Sequence, residues 1–139
     1  VLIVDPMSNA SDTTAIAGFD GADKWAGVVF AHTTGKLYFS PCNSDAMLIV
    51  DPSTNASDTT AVNGFGGTAS KWFGGAFVPT NGKMYFTPTN ADNVLVVDPL
   101  TNVSDTTAVA GLGVGSGQKW GRGIFVPTTQ KFYFTPYYA

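Results

Sequence analysis

The chain has 139 residues, 44% of them hydrophobic and 13% aromatic, with only 12% charged and a formal net charge of −3. That is one domain by size, with enough apolar residues for a packed core. Nucleic-acid binding lacks its basic footprint, no run approaches a membrane helix, and a lone cysteine, Cys42, excludes an internal disulfide.

The chain opens on VLIVDP (1–6), a continuous apolar run closed by Asp5-Pro6. A run apolar at every position suits a strand covered on both faces. The chain starts without Met, inside this run and with no signal peptide ahead of it, so it reads as a mature piece or a fragment. After Asn9-Ala10-Ser11 comes SDTT (11–14), and TTAI (13–16) predicts a short, Thr-rich outer strand. The glycine-rich loop GFDGAD (18–23) leads to Lys24-Trp25 and then to a small apolar strand at 27–31. A Thr34-Gly35-Lys36 turn, the aromatic strand LYFSP (37–41) and a polar loop through Asn43 and Asp45 complete the unit.

The unit then begins again. The apolar run recurs as MLIVDP at 47 and VLVVDP at 94, spacings of 46 and 47. SDTT recurs at 57 and 104, Lys-Trp at 71–72 and 119–120, and the aromatic strand as MYFTP (84–88) and FYFTP (132–136). The turn recurs as Asn81-Gly82-Lys83 and Thr129-Gln130-Lys131. Asn-Gly between two apolar runs predicts a type I′ hairpin, since both central positions then need φ > 0. The loops before Lys-Trp vary most: GFDGAD, GFGGTAS (64–70) and GLGVGSGQ (111–118).

Four short antiparallel strands repeated at this period predict an all-β fold, a β-propeller of four-stranded blades. In repeat order the strands are A (27–31 and its equivalents), B (LYF), C (LIV) and D (TTAI). Strand A would be innermost, where Gly27, Gly74, Gly75 and Gly123 suit crowded backbones. Strand C would lie between neighbouring blades, and D at the outer edge. The phase divides the chain into strands C and D of a split blade (1–23), a blade at 24–70, a blade at 71–118, and strands A and B of a split blade (119–139). Aligned on Pro136, the last copy stops two residues before another apolar run would begin. Three blades do not close a propeller, and bare edges invite pairing. A homodimer is therefore expected, two chains completing each other's split blades into a six-bladed ring. The alternative fold is a β-trefoil, which closes three four-stranded repeats as a monomer.

The string GGAFVPTNGKMYFTPTNADNVLVVDPLTN resembles the blades of recently amplified, little-characterised β-propeller repeats. The shared features are the Lys-Trp-x-Gly start, the Asn-Gly-Lys hairpin and the Val-x-x-Asp-Pro strand end, with Gln130 departing from the hairpin motif. Tachylectin-like sugar-binding propellers are similar in their Trp and Gly-x-x-Tyr placement. The resemblance covers the whole chain and implies a fold and a binding-scaffold habit, and no reaction.

Alternating strand direction puts the D–A and B–C loops on one face. That face collects Lys24, Trp25, Lys71, Trp72, Lys119 and Trp120, with Asp45 and Asp92. Indole faces stack on sugar rings or cations, and Asp supplies convergent polar contacts; the competing reading is that each Trp wedges between blades and each Lys pairs with an Asp. Arg122 stands where other copies have Gly27 and Gly74, aimed at the channel. The only histidine, His32, has no second ligand beside it, so no metal site and no cofactor are expected. Cys42 reads as a plain thiol. Asn9, Asn55 and Asn102 head glycosylation sequons, one per period, which would carry glycans if the protein is secreted; Asn and Ser are also ordinary turn formers.

The reading is a non-enzymatic binding or recognition scaffold, for a glycan or protein ligand, with the Trp face as the contact surface and carbohydrate as the sharpest version. The alternatives are an enzyme working in the central channel through Arg122 and the Asp residues, and a structural repeat fragment, natural or engineered, with no ligand.

Overall fold

The computed structural model describes residues 1–113 and 117–138. The centre of the GLGVGSGQ loop and Ala139, on which parts of the loop comparison and of the terminal alignment fall, lie outside the described residues. The described residues form twelve strands and no helix. Strands β3 (Trp25–Ala31), β4 (Lys36–Pro41), β5 (Leu48–Asp51) and β6 (Ala56–Asp58) make one antiparallel sheet in chain order. Strands β7 (Trp72–Val78), β8 (Lys83–Pro88), β9 (Leu95–Asp98) and β10 (Val103–Asp105) make a second of the same form. At the ends, β1 (Ile3–Val4) pairs with β2 (Ser11–Asp12), and β11 (Trp120–Val126) pairs with β12 (Lys131–Pro136). Among the described residues no set of strands closes into a barrel, so the trefoil's closure is not formed.

Burial follows strand position within each sheet. The third strands are apolar and covered on both faces: Leu48, Ile49 and Val50 are buried, as are Leu95, Val96 and Val97. The fourth strands, β6 and β10, are fully exposed edges. The main core lies between the two complete sheets, where Tyr38, Met47 and Ile49 meet Trp72, Met84, Phe86 and Leu95. A smaller core joins the N-terminal pair to the first sheet through Ile16, Leu48 and Val50.

The first strands of the sheets lie side by side, and glycine permits it. Each carries a register shift just after its tryptophan, between Trp25 and Val28 and between Trp72 and Gly75. Gly27 takes φ 91° at that bulge. A Cβ built on Gly27 would stand 2.5 Å from the Gly74 Cα and 2.8 Å from its nitrogen. Serine and threonine hydroxyls stitch the same seam: the Gly74 N–H donates to Ser40 Oγ and the Gly123 N–H to Thr87 Oγ1, both at 3.1 Å.

Two local expectations need correction. The A–B hairpins are not two-residue type I′ turns. Residues 79–82 form a four-residue loop in which the Gly82 N–H donates to the Val78 carbonyl at 2.9 Å. Only its last residue takes positive φ: Gly35 at 68°, Gly82 at 69° and Gln130 at 55°. Asn81 instead uses its side-chain oxygen to accept the Lys83 N–H at 3.1 Å.

The outer strand is also displaced. It runs through Ser-Asp, not through the TTA segment that follows. Asp58 Oδ1 accepts from the Thr60 N–H at 2.6 Å, the Thr60 hydroxyl at 2.8 Å and the Ala61 N–H at 3.2 Å, which ends the strand in a tight turn. Asp12 and Asp105 repeat the arrangement. The backbone N–H and hydroxyl of the Thr two residues on hold all three carboxylates below the usual pKa of 3.8. Ser8 and Ser53 do the same for Asp5 and Asp51. A folded-state pKa below the unfolded value means the unfolded chain binds more protons, so stability rises with pH across that window. The contribution is whole from about one pH unit above 3.8 and is lost as pH falls through the lower folded values. Urea midpoints should therefore hold level down to about pH 5 and then drop steadily toward pH 2, and in Asp58→Asn, which keeps the turn acceptors without titrating, the drop should be smaller.

Candidate functional site

Each Lys-Trp pair sits where a loop enters the first strand of a sheet, and at Lys71 and Lys119 the backbone is tied to two sheets at once. The Lys71 N–H donates to the Cys42 carbonyl of the preceding sheet at 3.1 Å, while its own carbonyl accepts from the Thr89 N–H at 2.9 Å. Lys119 repeats both links, to Thr89 and Tyr137. The side chains are therefore placed by the same hydrogen bonds that join the sheets.

The Lys71 ammonium is enclosed. It is 4% exposed. Nζ donates to the carbonyls of Ser44, Gly66 and Thr68 at 3.0, 2.8 and 3.1 Å, using all three of its protons. Burial pulls its pKa below the ordinary lysine value, against smaller raising effects of Cys42 and Asp45. Lys119 is buried as well, with Nζ 3.4 Å from the Leu112 carbonyl. Lys24 differs: its ammonium lies 5.8 Å from the centre of the Trp25 ring, half-exposed. None of the three lysines is paired with Asp45 or Asp92 by a salt bridge; the ammonium of Lys71 is used on backbone.

The tryptophans are anchored through their indole nitrogens. Trp25 donates to the Ala46 carbonyl at 2.8 Å and Trp72 to the Asn93 carbonyl at 2.9 Å, an acceptor twenty-one residues on in both cases. From Trp120 the same count runs past Ala139, and its buried indole N–H has no acceptor among the described residues. Phe19 and Phe65 meet Trp25 and Trp72 edge-to-face at 5.3 and 5.4 Å. Trp72 is 4% exposed, so packing takes up its ring faces. Little of it is left to solvent, so it offers no open platform.

Beside each of these tryptophans is a cavity, and the two cavities are equivalents. One, of about 330 Å³, is lined by Phe19, Lys24, Trp25, Asp45 and Ala46 among others. The other, of about 320 Å³, is lined by Phe65, Lys71, Trp72, Asp92 and Asn93, with Asn90 and Thr68. The fold thus brings Lys, Trp and Asp of one repeat together twice. The two Asp residues are used differently. Asp45 clamps the glycine-rich loop by accepting the Gly66 N–H, with its carbonyl taking the Phe65 N–H at 3.0 Å. Asp92 repeats the carbonyl contact, to Leu112 at 3.0 Å, but its buried Oδ1 has no donor among the described residues. Oδ1 of Asn90 and of Asn93 and Oγ1 of Thr89, in the same loop, have no partner among the described residues either. Phe19, Phe65 and Asn93 were not singled out in the sequence; the Gly-Phe that opens the first two variable loops was the available signal.

Arg122 lies apart from these cavities. It lines a third, about 230 Å³, among the backbones of Gly27, Gly74, Gly75 and Gly123. His32 packs edge-to-face on Phe30 at 4.8 Å. Cys42 is buried, which raises its thiol pKa. Asn9, Asn55 and Asn102 all take φ between 57° and 59°, a backbone position asparagine tolerates better than most residues. Asn102 also accepts the Tyr38 hydroxyl at 3.2 Å, while Asn9 and Asn55 stay exposed. Among the described residues no group of three or more His, Cys, Asp or Glu stands close enough to hold a metal ion. Compared with models of protein families and with curated proteins, the chain matches none.

Proposed function

We propose that the chain is a β-propeller scaffold, the two complete sheets being blades and two chains making a six-bladed ring, that binds a hydroxyl-rich ligand such as a sugar in the cavity beside each tryptophan. The observation that carries the binding reading is the recurrence of one cavity, with the same Phe, Lys, Trp and Asp in its wall, at equivalent places in two repeats. Packing alone needs no repeated hollow. At about 320 Å³ the cavity is at the small end of the ~300–1,000 Å³ typical of ligand sites, which suits one sugar ring.

The polarity supports the same class. The Lys71 protons are spent on carbonyls, while the oxygens of Asn90, Asp92 and Asn93 have no donor among the described residues. A buried acceptor left unpaired costs about 1–3 kcal/mol. Ligand hydroxyls are donors and would relieve that cost once the loop admits them. The tryptophan and the phenylalanine contribute apolar wall, so the sugar is gripped from the side.

A glycan array followed by titration tests this. Wild-type protein should bind a subset of monosaccharides or terminal sugars with Kd of about 1 mM, near −4 kcal/mol per site. Asp92→Ala and Asn93→Ala should weaken binding while leaving the circular dichroism spectrum unchanged. An array blank at millimolar sugar overturns the reading.

A further inference from the structure

We propose that the free edge of β12 pairs with the free edge of β1 in a second copy of this chain, in one defined register. The proposal deepens the propeller reading above and rests on it. In both complete sheets the second strand meets the third in the same alignment: Leu37 with Val50, Tyr38 with Ile49, Phe39 with Leu48, and then Met84 with Val97, Tyr85 with Val96, Phe86 with Leu95. Carried to the two-stranded ends, that alignment sets Phe132 against Val4, Tyr133 against Ile3 and Phe134 against Leu2 of the other copy.

Burial says that these edges are built to be covered. Leu48, Ile49 and Val50 are 2%, 5% and 0% exposed, whereas their equivalents Leu2, Ile3 and Val4 are 63%, 36% and 54% exposed. Tyr38 is 1% exposed and Tyr133 52%. The same strand sequence is closed where its neighbour is present and bare where it is not. Beside the bare edge, Leu2, Ile3, Ile16, Val28, Leu37 and Phe39 wall a mainly apolar cavity of about 300 Å³. In the second sheet the equivalents of Leu37 and Phe39, Met84 and Phe86, are fully buried against the sheet before.

The polar links between sheets point to the same occupant. Lys71 and Lys119 each give their N–H to a carbonyl of the preceding sheet, Cys42 and Thr89. The next pair in that series is the Lys24 N–H of one copy and the Tyr137 carbonyl of the other. Ser40 and Thr87, 0% exposed, accept N–H groups from the bulge of the following first strand, Gly74 and Gly123, the equivalents of Gly27 and Val28; Thr135, exposed, is their equivalent and would take an N–H of the Gly27–Val28 bulge of the second copy. A foreign strand could satisfy an open ladder. Only another copy carries the matching apolar strand, the Lys24 N–H and the Gly27–Val28 bulge at the correct separations. Two copies related by a two-fold axis satisfy both ends of both chains.

Solution mass and cysteine cross-linking test the proposal. Residues directly opposite in an antiparallel ladder have Cα atoms about 4.5–5.5 Å apart, within disulfide reach, and a two-residue offset moves them beyond it. The wild-type protein should have twice the chain mass at micromolar concentration. Under mild oxidation, Ile3→Cys with Tyr133→Cys, or Leu2→Cys with Phe134→Cys, should give a covalent dimer; Leu2→Cys with Phe132→Cys should give none. All these positions are exposed or half-exposed, so the folds should survive. A monomeric mass overturns the proposal, as does a disulfide within one chain, or a dimer that cross-links only in the offset pair or in no pair. Sugar titration of the same samples is read separately: blank titrations with in-register dimers sink the ligand, and binding by a monomer sinks the pairing.

Discussion

Gly27→Val should lower the stability of the protein by about 2–5 kcal/mol at 25 °C. Two penalties fall on one position. The residue holds φ at 91°, where a β-branched side chain is strained by roughly 1–2 kcal/mol or more. Its added Cβ also lands 2.5 Å from the Gly74 Cα, and that neighbour is backbone held by a hydrogen bond to Ser40, not a side chain that can swing aside. Overpacking in a rigid place costs about 1–3 kcal/mol. The sum, about 2–5 kcal/mol, is a large share of the 5–15 kcal/mol that stabilises a typical domain. Gly35→Ala separates the two causes. Gly35 takes φ 68° with no atom within 4 Å of an added Cβ, so only the conformational term remains, about 1 kcal/mol. Urea melts of both variants read the difference. Near-wild-type stability in Gly27→Val would mean that the first strands do not meet at the bulge.

Lys71→Met should destabilise the fold by about 1–3 kcal/mol, because it keeps the side-chain stem and removes only the charge that three carbonyls share. The cost comes mainly from the oxygens of Ser44, Gly66 and Thr68, which lose the one cation that ties the three together. Lys24→Met, at the equivalent position, should cost under about 1 kcal/mol, since its ammonium rests on the Trp25 ring and is half-exposed. The two variants therefore distinguish a lysine that organises a loop from one that only covers an indole. Denaturation midpoints give the energies, and amide exchange at residues 66–69 should quicken in Lys71→Met alone. Equal effects at both positions would contradict the carbonyl cage.

The contrast between these lysines bears on the site. Both head the same motif, and their surroundings differ because Lys71 has a complete sheet on either side while Lys24 faces an incomplete one. The ring of ammoniums expected on the Trp face is in the second repeat a set of loop-fastening bonds. The acids diverge as well: Asp45 fastens the glycine-rich loop, whereas Asp92 Oδ1 has no donor among the described residues. The ligand reading survives in a narrower form, a cavity beside the indole.

Strand number, the order within each sheet, and which strand is covered on both faces were all legible in the chain, because they follow from period, from alternation and from a continuous apolar run such as LIV. The break points at Asp-Pro and the crowded glycines were legible for the same reason. Sequence could not say how the hairpins turn: Asn-Gly suits a two-residue loop, yet the strand lengths leave four residues to be spanned, so Gly82 alone takes positive φ. Nor could it tell that Asp58 would end the outer strand by drawing three donors to one oxygen. Whether Lys71 is a ligand contact or a buried staple, and whether Leu2 is core or surface, depends on what stands opposite. Identical residues take either fate, since burial is a property of the neighbour across the gap and no stretch of chain contains its own neighbour.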